Sequence, residues 1–122
     1  MKGSCLCGCV TYEVTGPLRP VIACHCVQCR KTSGHFVAAS QAAKGDLHIT
    51  GGEHLTWFRS SETAKRGFCA VCGSQMFWEP DGKDVVSIMA GTLDGATGLR
   101  IASHIYCESK GDYYELPQTE SD

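Results

Sequence analysis

Cys5-Leu6-Cys7-Gly8-Cys9-Val10-Thr11-Tyr12-Glu13-Val14 (residues 5–14) runs from closely spaced thiols straight into an alternating segment. Val10, Tyr12 and Val14 fall on one parity and Thr11 and Glu13 on the other, the period of a half-buried strand. Gly16-Pro17 ends it. The rest of the chain is cut into similarly short pieces by fourteen glycines and four prolines, which favours a β domain over a helical one. Strands are predicted over residues 35–40, 47–50, 55–59, 65–69, 75–79, 85–90, 103–108 and 113–116, with 85–90 the most apolar and therefore central. The apolar run at 20–23 leads into a second group of thiols. Residues 27–33 suit one or two helical turns stopped by Gly34, and 91–100 read as a loop. The predicted fold class is therefore mainly β, built of short antiparallel strands and hairpins.

The 122 residues are 43% hydrophobic and 20% charged, which excludes disorder and fits a single domain over 1–122 with a tail frayed from about 117. Eleven basic against thirteen acidic residues leave a charge of −2, so no nucleic-acid or anionic-membrane partner is expected. No apolar run reaches the roughly 20 residues a bilayer crossing needs. The N-terminus enters its first motif at once, so no export signal is expected and a reducing, cytoplasmic setting is.

That setting governs the nine cysteines, since thiols in the cytoplasm stay reduced and disulfides are rare. They stand at 5, 7 and 9, at 24, 26 and 29, at 69 and 72, and alone at 107. Thiols two or three residues apart present themselves to one metal more readily than to each other. Cys5, Cys7, Cys69 and Cys72 sum to the closed tetrahedral set of a structural zinc. Cys5 and Cys7 are expected on a strand end and the Cys69–Cys72 pair on a knuckle closed by Gly73. Cys24, Cys26 and Cys29 offer three thiolates to a second zinc and leave its fourth position open, the pattern of a catalytic metal. Water or a substrate sulfur would fill it.

His25 could instead close that second site, although an extended segment turns it away from the flanking thiols. Arg30 and Lys31 follow directly, either to meet a substrate carboxylate or as an ordinary solvated basic pair. Cys9 and Cys107 have no local histidine partner and are expected to be bystanders. Trp57, Phe58, Phe68, Phe77 and Trp78 lie in strand-like runs and are read as core, with one or two free to wall a pocket.

Residues 3–13, Cys24-His25-Cys26-Val27-Gln28-Cys29-Arg30-Lys31-Thr32-Ser33-Gly34, Phe68-Cys69-Ala70-Val71-Cys72-Gly73-Ser74 and the closing 104–110 with Tyr113-Tyr114 together resemble the glutathione-dependent formaldehyde-activating enzyme family. The resemblance implies a zinc-bearing β fold of the Mss4-like type. It implies a structural zinc on Cys5, Cys7, Cys69 and Cys72 and a catalytic zinc on Cys24, Cys26 and Cys29. It also implies a carbon–sulfur lyase that joins formaldehyde to glutathione. Cys9 and Cys107 stand where that family more usually has small or β-branched residues, and the chain lacks a longer N-terminal lead. Fold and metal sites thus transfer more directly than the substrate.

Two function classes follow. One is a zinc-dependent lyase-type enzyme acting on a small thiol adduct, with His25, Arg30 and Lys31 as candidate substrate contacts. The other is a non-catalytic zinc-stabilised β domain that binds a protein or peptide, both metals being closed. Reduction of oxidised methionine on a related scaffold would need a metal-free nucleophile, for which only Cys9 or Cys107 could serve. Oligomeric state is not legible.

Overall fold

The computed structural model describes residues 1–117. Ten strands and one helix follow in chain order: β1 (Lys2–Ser4), β2 (Thr11–Val14), β3 (Val21–Cys24), α1 (Val27–Ser33), β4 (Val37–Ala43), β5 (Leu47–Thr50), β6 (Leu55–Arg59), β7 (Ala64–Cys69), β8 (Gln75–Pro80), β9 (Val85–Met89) and β10 (Ile101–Ile105). β1, β2 and β5 form a small sheet, and the other seven form a second in the order β10-β3-β4-β9-β8-β7-β6. The domain is mainly β, and β9 lies at the centre of the larger sheet as its apolar composition predicts.

Alternation places the core. Tyr12 and Val14 of β2 face Ala42, Phe77, Val86 and Ile88 of the larger sheet, and the Tyr12 and Phe77 rings meet edge to face at 5.3 Å. Phe77, only 1% exposed, contributes about 1.5–3 kcal/mol by its burial. Gly67 admits the Trp57 ring against the backbone of β7, where a Cβ would sit 2.9 Å from it.

The opposite face of the larger sheet carries the site. Directly paired antiparallel residues project to the same side. One rung runs Ile22–Ala39–Met89, and the next runs Gln41–Ser87–Trp78–Arg66. Cys24 pairs with Val37 beside them. Helix α1 starts on Cys26, whose sulfur accepts from the Cys29 N–H at 3.3 Å, and ends on Gly34 at φ 87°, as its left-handed position requires.

Several local expectations are corrected. β1 is three residues long and has no periodic apolar side chain that would mark it in sequence. β10 pairs parallel with β3, so the sheet is mixed. The strand predicted to 108 stops at Ile105, because Tyr106 turns left-handed (φ 55°) into a single 3-10 turn at Cys107–Ser109. Residues 113–116 form no strand. Cys5 and Cys7 lie in a tight turn between β1 and β2, closed by the Cys5 N–H on the Val10 carbonyl at 3.0 Å, and not on a strand end. The expected frayed tail, Pro117 apart, lies outside the described residues.

Candidate metal centres and the adjoining cavity

The turn at residues 5–10 brings Cys5 and Cys7 against Cys69 and Cys72, and all four sulfurs lie within 4.8 Å of one another. Cys5 and Cys7 are 3.6 Å apart, and Cys7 and Cys69 are 3.8 Å apart. A tetrahedron of bonds of about 2.3 Å places its sulfurs about 3.8 Å apart, so the donor set fits a four-thiolate metal. The Val10 N–H donates to the Cys5 sulfur at 3.3 Å. Ser74 ties the two halves, accepting from the Leu6 N–H and hydrogen-bonding the Cys72 sulfur at 3.2 Å. That hydroxyl contact, with backbone N–H groups, holds the Cys72 thiol down at about 5.

Cys24, at the end of β3, Cys26, capping α1, and Cys29, in its first turn, form the second group, again with sulfurs within 4.8 Å. No fourth Cys, His, Asp or Glu among the described residues joins them. The hydrogen bond from Cys24, opposed by burial and helped by the Arg66 guanidinium, holds the Cys29 thiol down at about 5, while the same pairing pushes Cys24 up. Arg66 is 6% exposed. Its Nε and Nη2 donate to Gln28 Oε1 at 3.0 and 2.7 Å, and Nη2 reaches the Cys29 sulfur at 3.5 Å. Gln28 is held in turn by donating to the Ser60 carbonyl at 2.9 Å. All nine cysteines are free thiols.

These three sulfurs open onto a cavity of about 520 Å³ formed by the two sheet rungs, with Ile105 and Tyr106 at its side. The size suits a small organic ligand. Its cations are Arg66 and Arg19, neither singled out by sequence. Arg30 and Lys31 do not line it: successive helix residues diverge by about 100°, so burying Cys29 turns both away. Lys31 is exposed, and Arg30 Nε is buried without a hydrogen-bond partner among the described residues.

His25 does not line the cavity either. It is fully buried on the other side of the strand, with Nδ1 on the Tyr114 hydroxyl at 2.5 Å and Nε2 on His104 Nδ1 at 3.0 Å. Burial, and then His104, His35 and Lys110, push it below its usual value and keep it neutral. Both ring nitrogens are engaged away from the thiols, so His25 anchors the 104–114 segment. Cys9 is half-buried against the main core and Cys107 half-buried in its 3-10 turn, and neither joins a sulfur group. Trp78 does wall the cavity. Arg66 had one signal in sequence: it shares the buried parity of Ala64 in β7. No helix of the described residues is long and apolar enough to cross a membrane.

The sequence profile of the glutathione-dependent formaldehyde-activating enzymes matches residues 1–109. A Halomonas elongata protein, named provisionally as such an enzyme, is 29% identical over 134 aligned positions, covering 100% of this chain and 84% of its own length. An uncharacterized lyase of Schizosaccharomyces pombe is 26% identical over 117 positions, covering 94% of this chain and 84% of that protein. A crystal structure of a Rhodobacter sphaeroides protein superposes with a TM-score of 0.67 at 29% identity, covering 85% of this chain and 99% of that one.

Proposed function

The chain belongs to the glutathione-dependent formaldehyde-activating enzyme family, and from that footing we propose that it is a zinc-dependent carbon–sulfur lyase acting on a small thiol adduct. The observation that carries this reading is the three-sulfur group facing an open cavity with no fourth protein ligand among the described residues. A binding module with two closed metals would have no use for that gap.

Cys5, Cys7, Cys69 and Cys72 would hold one zinc and Cys24, Cys26 and Cys29 a second. Bound at the second group, zinc would supply a position that keeps an incoming sulfur as thiolate at neutral pH. Arg66 offsets the charge of the Cys29 sulfur and fixes its direction, with Gln28 fixing Arg66. Trp78 and Met89 set apolar surface beside the sulfurs. Holding a thiol and an aldehyde together there supplies the proximity that a dilute bimolecular addition lacks. The sulfur forms a bond to the carbonyl carbon and the carbonyl oxygen takes the thiol's proton. The reverse step breaks the same C–S bond, and no electrons are gained or lost. The reaction type is that of S-(hydroxymethyl)glutathione synthase, and a cytoplasmic setting suits reduced thiols.

The test is the exchange rate between [13C]formaldehyde and its thiol adducts, measured by NMR with the zinc-loaded protein and a panel of glutathione, cysteinylglycine and N-acylcysteines. The reading expects exchange above the buffer rate for at least one thiol, lost in Cys26→Ala. Buffer rates throughout the panel would sink it.

A further inference from the structure

Among the described residues, the cavity wall contains two arginines and no aspartate, glutamate or lysine. Arg66 is occupied by Gln28 and Cys29. Arg19, half-buried just before β3, is pinned but not neutralised. Its Nη2 donates to the Ala39 carbonyl at 2.9 Å and its Nε to the Pro20 carbonyl at 3.2 Å, while Nη1 has no partner among the described residues. Its own main chain is fixed to β4 by the Arg19 N–H on the Gln41 carbonyl and by Ser40 Oγ on the Arg19 carbonyl. No ion pair among the described residues involves it. A guanidinium held this way is preorganised for a planar anion. The wall that Arg19 and the thiols share is mainly Ile22, Val37, Ala39, Trp78 and Met89, with the uncharged Gln41, Ser61 and Ser87 among its other polar groups. A cationic group on a ligand would lose its hydration against those residues and find no carboxylate among the described residues of the wall, and the Cys29 sulfur is already met by Arg66.

Resting on the reading of this cavity as a thiol site, we propose that its substrate is a thiol with an apolar body and a carboxylate seated on Arg19, and that a ligand ammonium is rejected. Glutathione carries such an ammonium, so the inference narrows the substrate class and makes Arg19 a specificity-determining residue.

Three probes on one scaffold separate the terms: butanoyl-cysteinylglycine, which has one carboxylate and no ammonium; 4-aminobutanoyl-cysteinylglycine, which adds the ammonium; and butanoyl-cysteinylglycinamide, which removes the carboxylate. Calorimetric titration into the zinc-loaded protein should show the first binding at least about tenfold tighter than either of the others, the scale of one charge-assisted hydrogen bond or one unpaired charge. Arg19→Gln should erase the difference between acid and amide while keeping the penalty for the ammonium, and Arg19→Lys should restore part of the difference. Equal or tighter binding of the ammonium probe overturns the proposal, as does an acid–amide difference that persists in Arg19→Gln. The wild-type comparison stands even if Arg19→Gln does not fold. Binding without discrimination removes this inference alone, whereas binding by none of the three removes the thiol-site reading with it.

Discussion

Replacing Arg66 with methionine keeps the volume and apolar stem of the side chain and removes only its charge and donors. Three hydrogen bonds go with it: two onto Gln28 Oε1 at 3.0 and 2.7 Å, and one onto the Cys29 sulfur at 3.5 Å. Three thiolates and a divalent metal sum to −1, and Arg66 is the only cation bonded to any of those sulfurs among the described residues. Groups in this position, one bond behind a metal ligand, are worth about 10–100-fold in metal affinity, or about 1.4–2.8 kcal/mol. The effect should fall on one site alone. Arg66 makes no hydrogen bond to Cys5, Cys7, Cys69 or Cys72, whose partners are Val10 and Ser74. Competition against a chromophoric chelator resolves the two metals as separate steps. Arg66→Met should release one zinc at 10–100-fold lower chelator strength and the other at the wild-type value. Gln28 Oε1 loses both donors, so folding should weaken by about 1–3 kcal/mol even in metal excess. Arg66→Lys, which keeps the charge but not the fork, should fall between. Release of both zincs at wild-type strength would refute the assignment of Arg66 to the second centre.

Further outcomes follow from the same structure. Cys69→Ala opens the four-sulfur centre; since a structural zinc contributes about as much as the whole net stability of a domain, this variant should show no cooperative thermal transition by circular dichroism. Cys26→Ala should keep one and lose only exchange activity. Phe77→Ala leaves a void between the sheets and should lower stability by about 3–5 kcal/mol in urea titration with an unchanged slope. Tyr12 is pushed up to about 12 from 10.0 by burial, against the lowering effect of its bond to Thr92. The fold requires the neutral phenol, so its contribution is complete below pH 10 and is lost as pH rises from 10 towards 12. Tyr12→Phe should therefore flatten the alkaline fall of the urea midpoint relative to the parent chain.

The two sulfur groups are legible in sequence because the spacing of thiols within each cluster is local. Cys24, Cys26 and Cys29 span one strand end and one helical turn, and Cys26 and Gly34 mark that helix at both ends. The strands at 47–50 and 55–59 were equally readable, bounded as they are by glycine and charge. The cavity was not. Arg66, Trp78, Ser87 and Gln41 meet only because four strands stack in register, which no local pattern encodes. Adjacency favoured Arg30 and Lys31, and helical geometry removed them. Tyr113 and Tyr114 have strand propensity, yet Tyr113 hydrogen-bonds His35 and Tyr114 hydrogen-bonds His25, so side-chain bonds rather than a sheet ladder fix that segment.

A second centre that admits a sulfur from outside the chain would report it directly with cobalt in place of zinc. Thiolate coordination gives cobalt a charge-transfer band whose intensity follows the number of sulfurs bound. Titrating the cobalt-loaded protein with butanoyl-cysteinylglycine, and separately with glutathione, should raise that band with saturation for at least one thiol, and Cys26→Ala should abolish the rise. A spectrum unchanged through both titrations would contradict the account, because it would leave the second centre closed.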